Sequence, residues 1–332
     1  MLSSPAAIGA ALLTVLHLLV GSAVAGPLTS PKRGLVYVPN NSTRQDDYIW
    51  TQQPSDLTWY YNYEASPSPV YSNISQSSFE FVPMLWGAPD NLSDTTFLKT
   101  VRSLVKDKGI NISHVMAFNE PDGSMGAHGG SNIDPDKAAQ VWVKNIIPLQ
   151  EMNLRVGLPA CTGAPSGLQW LKAFLDSCSK LVSTDGKTTN CTFDFVPIHW
   201  YGNFDGLASH LGEYSAEFPN KTMWVTEFNF DNQDLETTQA FYNMSTEYMD
   251  RLDSVGRYSL FGAFRSDVSN VGPNGAMLTA EGNLTDIGAW YLGRPATGVS
   301  PKPTSLALHT VAPQATVALL GAIFATVSLL NF

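Results

Sequence analysis

The sequence predicts an α/β fold, a single-domain (β/α)8 TIM barrel, and three observations carry that expectation. Eight short apolar runs recur along the chain, segments with helical spacing separate most of them, and about 270 residues lie between two apolar ends that read as addressing segments. One barrel of this kind takes about 250 residues. Most of the runs are too continuous for half-exposed antiparallel strands and match strands buried on both faces of a parallel sheet.

In chain order the runs are 34–39, 57–63, 79–87, 114–119, 154–160, 193–201, 222–228 and 257–264. After the first two, the intervening residues make poor helices. After the third, Asp94 is an N-cap candidate and Val101, Leu104 and Val105 follow at helical spacing up to Gly109. Residues 135–149 open with Asp134 as cap and Pro135 at the first helical position. Residues 166–178 put Leu168, Leu171, Phe174 and Leu175 on one face, and 235–252 place Phe241, Met244, Tyr248 and Leu252 likewise. Strand and helix in alternation make a closed barrel the first choice.

The ends are expected to lie outside the fold. Residues 6–20 are almost uninterruptedly apolar and run into Ala23-Val24-Ala25, a small-x-small cleavage pattern, so residues 1–25 read as a secretory signal peptide. Residues 317–332 are apolar and uncharged, and follow a polar, Pro-containing spacer with small residues at Ser305-Leu306-Ala307. That order is the signal for a GPI anchor whose hydrophobic tail is removed, here assigned to 297–332 with attachment near Ser305. Residues 26–296 remain as the catalytic domain. The expected location is secreted and cell-surface, at the cell wall and anchored to the plasma membrane.

The formal charge is −10 and only 14% of residues are charged, against ~25% usually. With no Lys/Arg-rich stripe, nucleic acid is excluded as a partner. Aromatic residues make up 11%, and a weakly charged, aromatic-rich surface suits a neutral polar ligand. Nine sequons occur, at Asn40, Asn41, Asn73, Asn91, Asn111, Asn190, Asn220, Asn243 and Asn283; secretion makes them glycosylation candidates, although adjacent Asn40 and Asn41 compete. Of three cysteines, Cys178 and Cys191 flank a polar loop and are paired as a disulfide, leaving Cys161 as a buried thiol. No Cys/His pair has zinc-ligand spacing.

Active sites of these barrels lie at the C-terminal ends of the strands. The fourth run ends in Asn119-Glu120-Pro121-Asp122 and the seventh in Thr226-Glu227-Phe228, so each delivers a carboxylate to the rim. A glycosidic bond is hydrolysed by such a pair, one donating a proton to the leaving oxygen and one attacking the anomeric carbon. No cofactor or metal is needed. An isolated Glu is more often a surface carboxylate, whereas two ending strands of one barrel favour catalysis.

Asn119-Glu120 and Glu227 resemble the signature of the clan of retaining barrel glycosidases. Together with Trp59-Tyr60-Tyr61-Asn62-Tyr63, residues 81–87 (FVPMLWG), Phe118-Asn119-Glu120-Pro121-Asp122, His199-Trp200-Tyr201-Gly202 and Trp224-Val225-Thr226-Glu227-Phe228, they resemble glycoside hydrolase family 128, the fungal alkali-sensitive-linkage-protein-like enzymes. The resemblance covers about residues 34–292. It implies cleavage of β-1,3-glucan in cell-wall remodelling, endo action, Glu120 as general acid/base and Glu227 as nucleophile held ionised by hydrogen bonds. It further implies that Asn119 bonds the sugar 2-hydroxyl and that Tyr201 donates to Glu227. Tyr61, Asn62 and Trp86 look like subsite residues, and His199 is either a sugar contact or a satisfied core histidine. Strand alternation turns Trp224 away from Glu227, toward the helices. Leu260 stands where family members carry a platform Trp. The expected partner is β-glucan, with membrane attachment through the anchor and a monomeric chain. A transglycosylase, and an inactive glucan-binding wall protein, are the alternatives.

Overall fold

In the computed structural model, which describes residues 29–124 and 129–301, nine parallel strands form one sheet with helices between them. The strands are β1 (Arg33–Val36), β2 (Trp59–Tyr61), β3 (Glu80–Phe81), β4 (Met84–Leu85), β5 (His114–Asn119), β6 (Arg155–Ala160), β7 (Phe195–Tyr201), β8 (Thr222–Asn229) and β9 (Val255–Leu260). Their order is β3-β2-β1-β9-β8-β7-β6-β5-β4. The two ends of that order, β3 and β4, are consecutive in the chain and are joined by Val82-Pro83 alone. The single third strand expected over 79–87 is thus split in two, which makes nine strands of eight.

Proline explains the split, because Pro83 has no amide N–H to give to the ladder. Backbone bonds nevertheless carry the ring across it: Val82 N to Tyr60 O and Met84 N to Glu64 O on one side, and Met116 N to Pro83 O on the other, each 2.9 Å. The sheet therefore closes into a barrel at this seam.

The helices are α1 (Thr96–Lys106), α2 (Pro135–Asn145), α3 (Ile147–Gln150), α4 (Ser166–Val182), α5 (Phe204–Glu217), α6 (Leu235–Arg251) and α7 (Asp286–Tyr291). Asp134 caps α2 through the amides of Asp136 and Lys137. The helix expected over 135–149 is broken at Ile146, since Pro148 cannot donate to the carbonyl four residues back. Residues 44–51 and 69–71, after the first two strands, form only 3-10 turns. Helix α5 was not expected. Cys178 and Cys191 are bonded with their Cα atoms 5.5 Å apart, and Cys161 is a buried free thiol. All nine sequon asparagines are exposed. The signal-peptide and anchor assignments lie outside the described residues, apart from the spacer's first residues, 297–301.

Alternation along the strands sorts the core into two layers. Leu35, Tyr60, Val115, Val196, Val225 and Tyr258 face the helices. Val36, Trp59, Tyr61, Met84, Phe195 and Trp224 fill the barrel. Phe195 and Trp224 stack at 4.0 Å, and Trp59 lies 5.2 Å from Trp224. Gly34 permits this filling, since a Cβ there would stand 2.1 Å from the Trp59 indole. Below the aromatics, Arg257 lies 4.3 Å over Trp224 and pairs with Glu80, which also bonds His114 and Ser113. Burial raises the Glu80 carboxyl, but His114, Arg257 and Ser113 outweigh it and bring it down to about 2.

Trp224 corrects the expectation that it faces the helices. Between Val225 and Glu227, β8 carries one residue more than β7, whose Ile198 and His199 are adjacent. The same extra residue is present against β9. This bulge at Thr226 shifts the alternation by one, so that Trp224 and Glu227 both point inward although three residues apart.

Candidate active site

Glu120 follows β5 and Glu227 lies near the end of β8, and both carboxyl groups are buried at the floor of one cleft at the C-terminal rim of the barrel. The cleft holds about 820 Å³ and is bounded by Val38, Trp86, Trp200, Phe261 and Val271 among others. His199, with no exposed surface, lies between the acids: its Nδ1 is 3.0 Å from Glu120 Oε1 and its Nε2 is 3.5 Å from Glu227 Oε1. One donor atom from each of the three residues lies within 4.8 Å of the others, a spacing that could also hold a metal ion.

The main chain fixes Glu120, and side-chain hydroxyls hold the Glu227 carboxylate. Glu120 adopts a φ of 43°, a left-handed conformation that costs a non-glycine residue about 1–3 kcal/mol and is met mostly at functional positions. Its amide bonds Ala160 O at 2.7 Å, and its carbonyl accepts from the amides of Gly123 and Ser131. Glu227 accepts from Tyr63 Oη (2.7 Å) and Tyr61 Oη (3.4 Å) on Oε1, and from Tyr201 Oη (2.7 Å) on Oε2.

These bonds do not by themselves keep Glu227 in the ordinary carboxylate range. Burial raises it most; His199 and the hydroxyls of Tyr201 and Tyr63 pull it back, while Glu120 adds to the rise. The net direction is upward. Burial also lowers His199, but the charge of Glu227 and the bond to Glu120 reverse this, so the imidazolium form is favoured. The charge states of Glu227 and His199 are therefore linked to one another.

Asn119, Trp86 and Tyr201 line the cleft, as does Tyr63. Asn119 gives its amide N–H to Gly129 O at 3.1 Å and leaves its buried Oδ1 unpartnered among the described residues. Trp86 is 38% exposed. Three expected sugar contacts are corrected. Tyr61 has no exposed surface and sits beneath Glu227, its hydroxyl also 3.0 Å from Thr226 O. Asn62 shapes the turn after β2, bonding Ser66 O and the Glu64 amide. His199 is enclosed between the two acids, bonded through Nδ1 to Glu120 while its buried Nε2 has no hydrogen-bond partner among the described residues.

Leu260 also differs from expectation. It packs outward, in step with Tyr258, and the next residue, Phe261, supplies the cleft aromatic at the end of β9, edge-on to Tyr201 at 5.8 Å. Two cleft residues were missed. Tyr63 lies two residues beyond Tyr61, past the end of β2, where a left-handed φ of 62° turns it into the cleft and strand alternation gives no signal. Trp200 lines the cleft with its indole N–H on Asn203 O; lying between inward His199 and Tyr201, it has no alternation signal. Asp122 ties the loop after β6 by accepting from the Thr162 amide and hydroxyl.

A barrel with two acids at its C-terminal rim defines the class, and sequence comparison agrees: a family model described as glycosyl hydrolase catalytic core matches residues 34–291, and the chain belongs to that family. Its relatives place it more narrowly, in glycoside hydrolase family 128. The chain is 29% identical over 272 residues to alkali-sensitive linkage protein 1 of Schizosaccharomyces pombe, covering 79% of this chain and 44% of that protein, so it spans less than half of the relative's length. Among solved structures it is similar to a curdlan-specific exo-β-1,3-glucanase of Blastomyces gilchristii in complex with glucose, at 27% identity and TM-score 0.58 over 79% of this chain and 97% of that one. It is also similar to an oligosaccharide-binding protein of Cryptococcus neoformans, at 25% identity and TM-score 0.58 over 81% and 96%.

Proposed function

We propose that this glycosidase cleaves β-1,3-glucan with retention of anomeric configuration. The observation that carries the reading is the approach of the two acids, one oxygen of each lying within 4.8 Å of one on the other at the floor of an open cleft. Retention takes carboxyl groups ~5–5.5 Å apart, whereas inversion needs ~6.5–9.5 Å to admit a water between acid and sugar.

The chemistry follows from the partners. Glu120, as the acid, gives its proton to the glycosidic oxygen while a Glu227 oxygen attacks the anomeric carbon and the leaving chain departs with that proton. Glu227 becomes a neutral ester, and the tyrosine hydroxyls that bonded its charge lose that partner. Glu120, now a carboxylate, takes a proton from water as the water attacks the same carbon and frees Glu227. Asn119 Oδ1 is placed beside the acid to accept from a sugar hydroxyl. His199 offers its favoured positive charge to whichever acid is ionised.

The substrate comes from the relatives, one of them a β-1,3-glucanase. Internal cleavage is supported by the open form of the cleft, beside which a second depression shares Tyr63 and Trp86. A linear β-1,3-glucan incubated with the protein should lose viscosity faster than reducing ends appear, and proton NMR should show the β anomer formed first. The α anomer first would sink the retaining mechanism. Placement at a cell wall through the terminal segments, with glycans on exposed sequons, belongs to the same proposal. Release from cells by a phosphatidylinositol-specific phospholipase is its expected result, and retention would count against it.

A further inference from the structure

One wall of the cleft is built from loops with little packing of their own. Val38 lines the cleft two residues beyond β1, Phe261, Asn270 and Val271 line it from the loop after β9, and Asp231 from the loop after β8. Val38 is 63% exposed, and residues 38–42 are exposed throughout. Asn270 is exposed as well, and so are Asp267 and Val268 before it. Side chains left in water bury too little apolar surface to offset the entropy of ordering a loop. This wall needs an anchor from elsewhere.

Arg265 supplies it. Its guanidinium meets Asp46 in a fork, Nε to Oδ2 at 2.6 Å and Nη2 to Oδ1 at 2.9 Å, while its Nη1 bonds Ala280 O at 3.1 Å. Asp46 is buried, so the pair is shielded from water. Two parallel bonds fix direction as well as distance, which a single contact does not. Gly282, at a φ of 85°, leaves the room: a Cβ there would stand 2.7 Å from Arg265 Nη2. The fork ties the loop after β1 to the loop after β9. That second loop is tied in turn to the loop after β8, where Val271 O accepts from the Asn232 amide at 2.9 Å. The wall from Val38 to Asp231 is thereby one connected unit. Neither Asp46 nor Arg265 lines the cleft itself.

We propose that Asp46 and Arg265 are positioning residues for the glycosidase reaction, their ion pair holding this wall where it confines the bound chain. This rests on the glucan reading above. With the pair broken, the chain must order the wall as it binds. That weakens binding ahead of the chemical step, and so raises KM while leaving kcat unchanged.

Asp46→Asn, Arg265→Met and the double variant, compared with wild type on a linear β-1,3-glucan, test this. The double variant leaves no buried charge without a partner, which protects its fold. In each variant KM rises about tenfold and kcat stays within about twofold. The effects are not additive, since each change removes the same pair, and the double variant is no worse than the worse single one. Arg33→Leu, which breaks an ion pair with Asp56 at the start of β1, keeps the wild-type KM and so separates loss of the clamp from general loss of stability. Hydrogen exchange adds a readout free of substrate. The Asn232 amide exchanges faster in the double variant, while the Asn119 amide, bonded to Trp86 O, does not. A wild-type KM in the folded double variant overturns the proposal, and so does a fall in kcat with KM unchanged. If the wild type leaves the glucan uncut, the glucanase reading fails, and exchange at Asn232 still decides whether the pair holds the wall.

Discussion

Glu227→Gln is expected to remove β-1,3-glucanase turnover, and Glu120→Gln to lower it by about 10²- to 10⁴-fold, the usual contribution of a general acid. The two differ in kind. An amide in place of the Glu227 carboxylate cannot form a covalent ester, so no substrate restores the reaction. An amide in place of the Glu120 carboxyl only withholds a proton, so an aryl glycoside whose leaving group needs none should still form the glycosyl-enzyme. That species then accumulates because its base is missing. Mass spectrometry would detect the adduct in Glu120→Gln and not in Glu227→Gln. Turnover of glucan by either variant at more than about a tenth of the wild-type rate would remove the carboxylate from its role.

Glu227→Gln also carries a stability sign. The folded-state pKa of Glu227 is raised, so above the unfolded value of ~4.3 the folded protein bears the cost of an ionised buried group. That cost is absent at lower pH, where the carboxyl is neutral in both states. His199 acts in the same sense: its raised folded pKa stabilises the fold below ~6.5 and the gain is lost as pH rises. Glu227→Gln should therefore melt above wild type at pH 7, and the gap should close toward pH 4. A gap that widens on acidification would contradict the assigned direction.

Arg33→Leu should destabilise the fold by about 3–5 kcal/mol, because it breaks a buried pair by removing one partner. Arg33 is 1% exposed. Its guanidinium reaches Asp56 Oδ2 at 3.0 Å, the carbonyls of Trp290 and Tyr291 at 2.8 and 3.2 Å, and Tyr258 Oη at 3.2 Å. One side chain thus ties β1 and β9 to the last described helix. A melting temperature lower by roughly 10 °C is the measurement expected at this chain length. The variant's kcat/KM at 25 °C, per folded molecule, should stay near wild type, since none of these contacts reaches the cleft. A melting temperature within about 2 °C of wild type would show that the network is not what holds these elements together.

The strand-and-helix alternation was legible because buried parallel strands read as continuous apolar runs. Glu120 and Glu227 stood out as charged residues at the ends of such runs. The errors share one cause, which is that alternation assumes an unbroken pleat. The extra residue at Thr226 put Trp224 on the unexpected face, and counting from the wrong parity put Leu260 where Phe261 belongs. Pro83 divided a strand whose apolar content ran straight through it. Helix α5 escaped notice because Gly206 and Gly212 dilute its pattern. Tyr61 and His199, expected at the sugar, lie against the acids instead, because whether a side chain sits above or beneath a carboxylate depends on depth in the barrel, which no spacing encodes.

The closure across Val82-Pro83 has a consequence for self-association. An open sheet offers a row of unpaired amides and carbonyls to its neighbours. Here that row is consumed internally, across the proline seam as well. Among the described residues, the sheet leaves no free strand edge on which a second copy could pair its backbone.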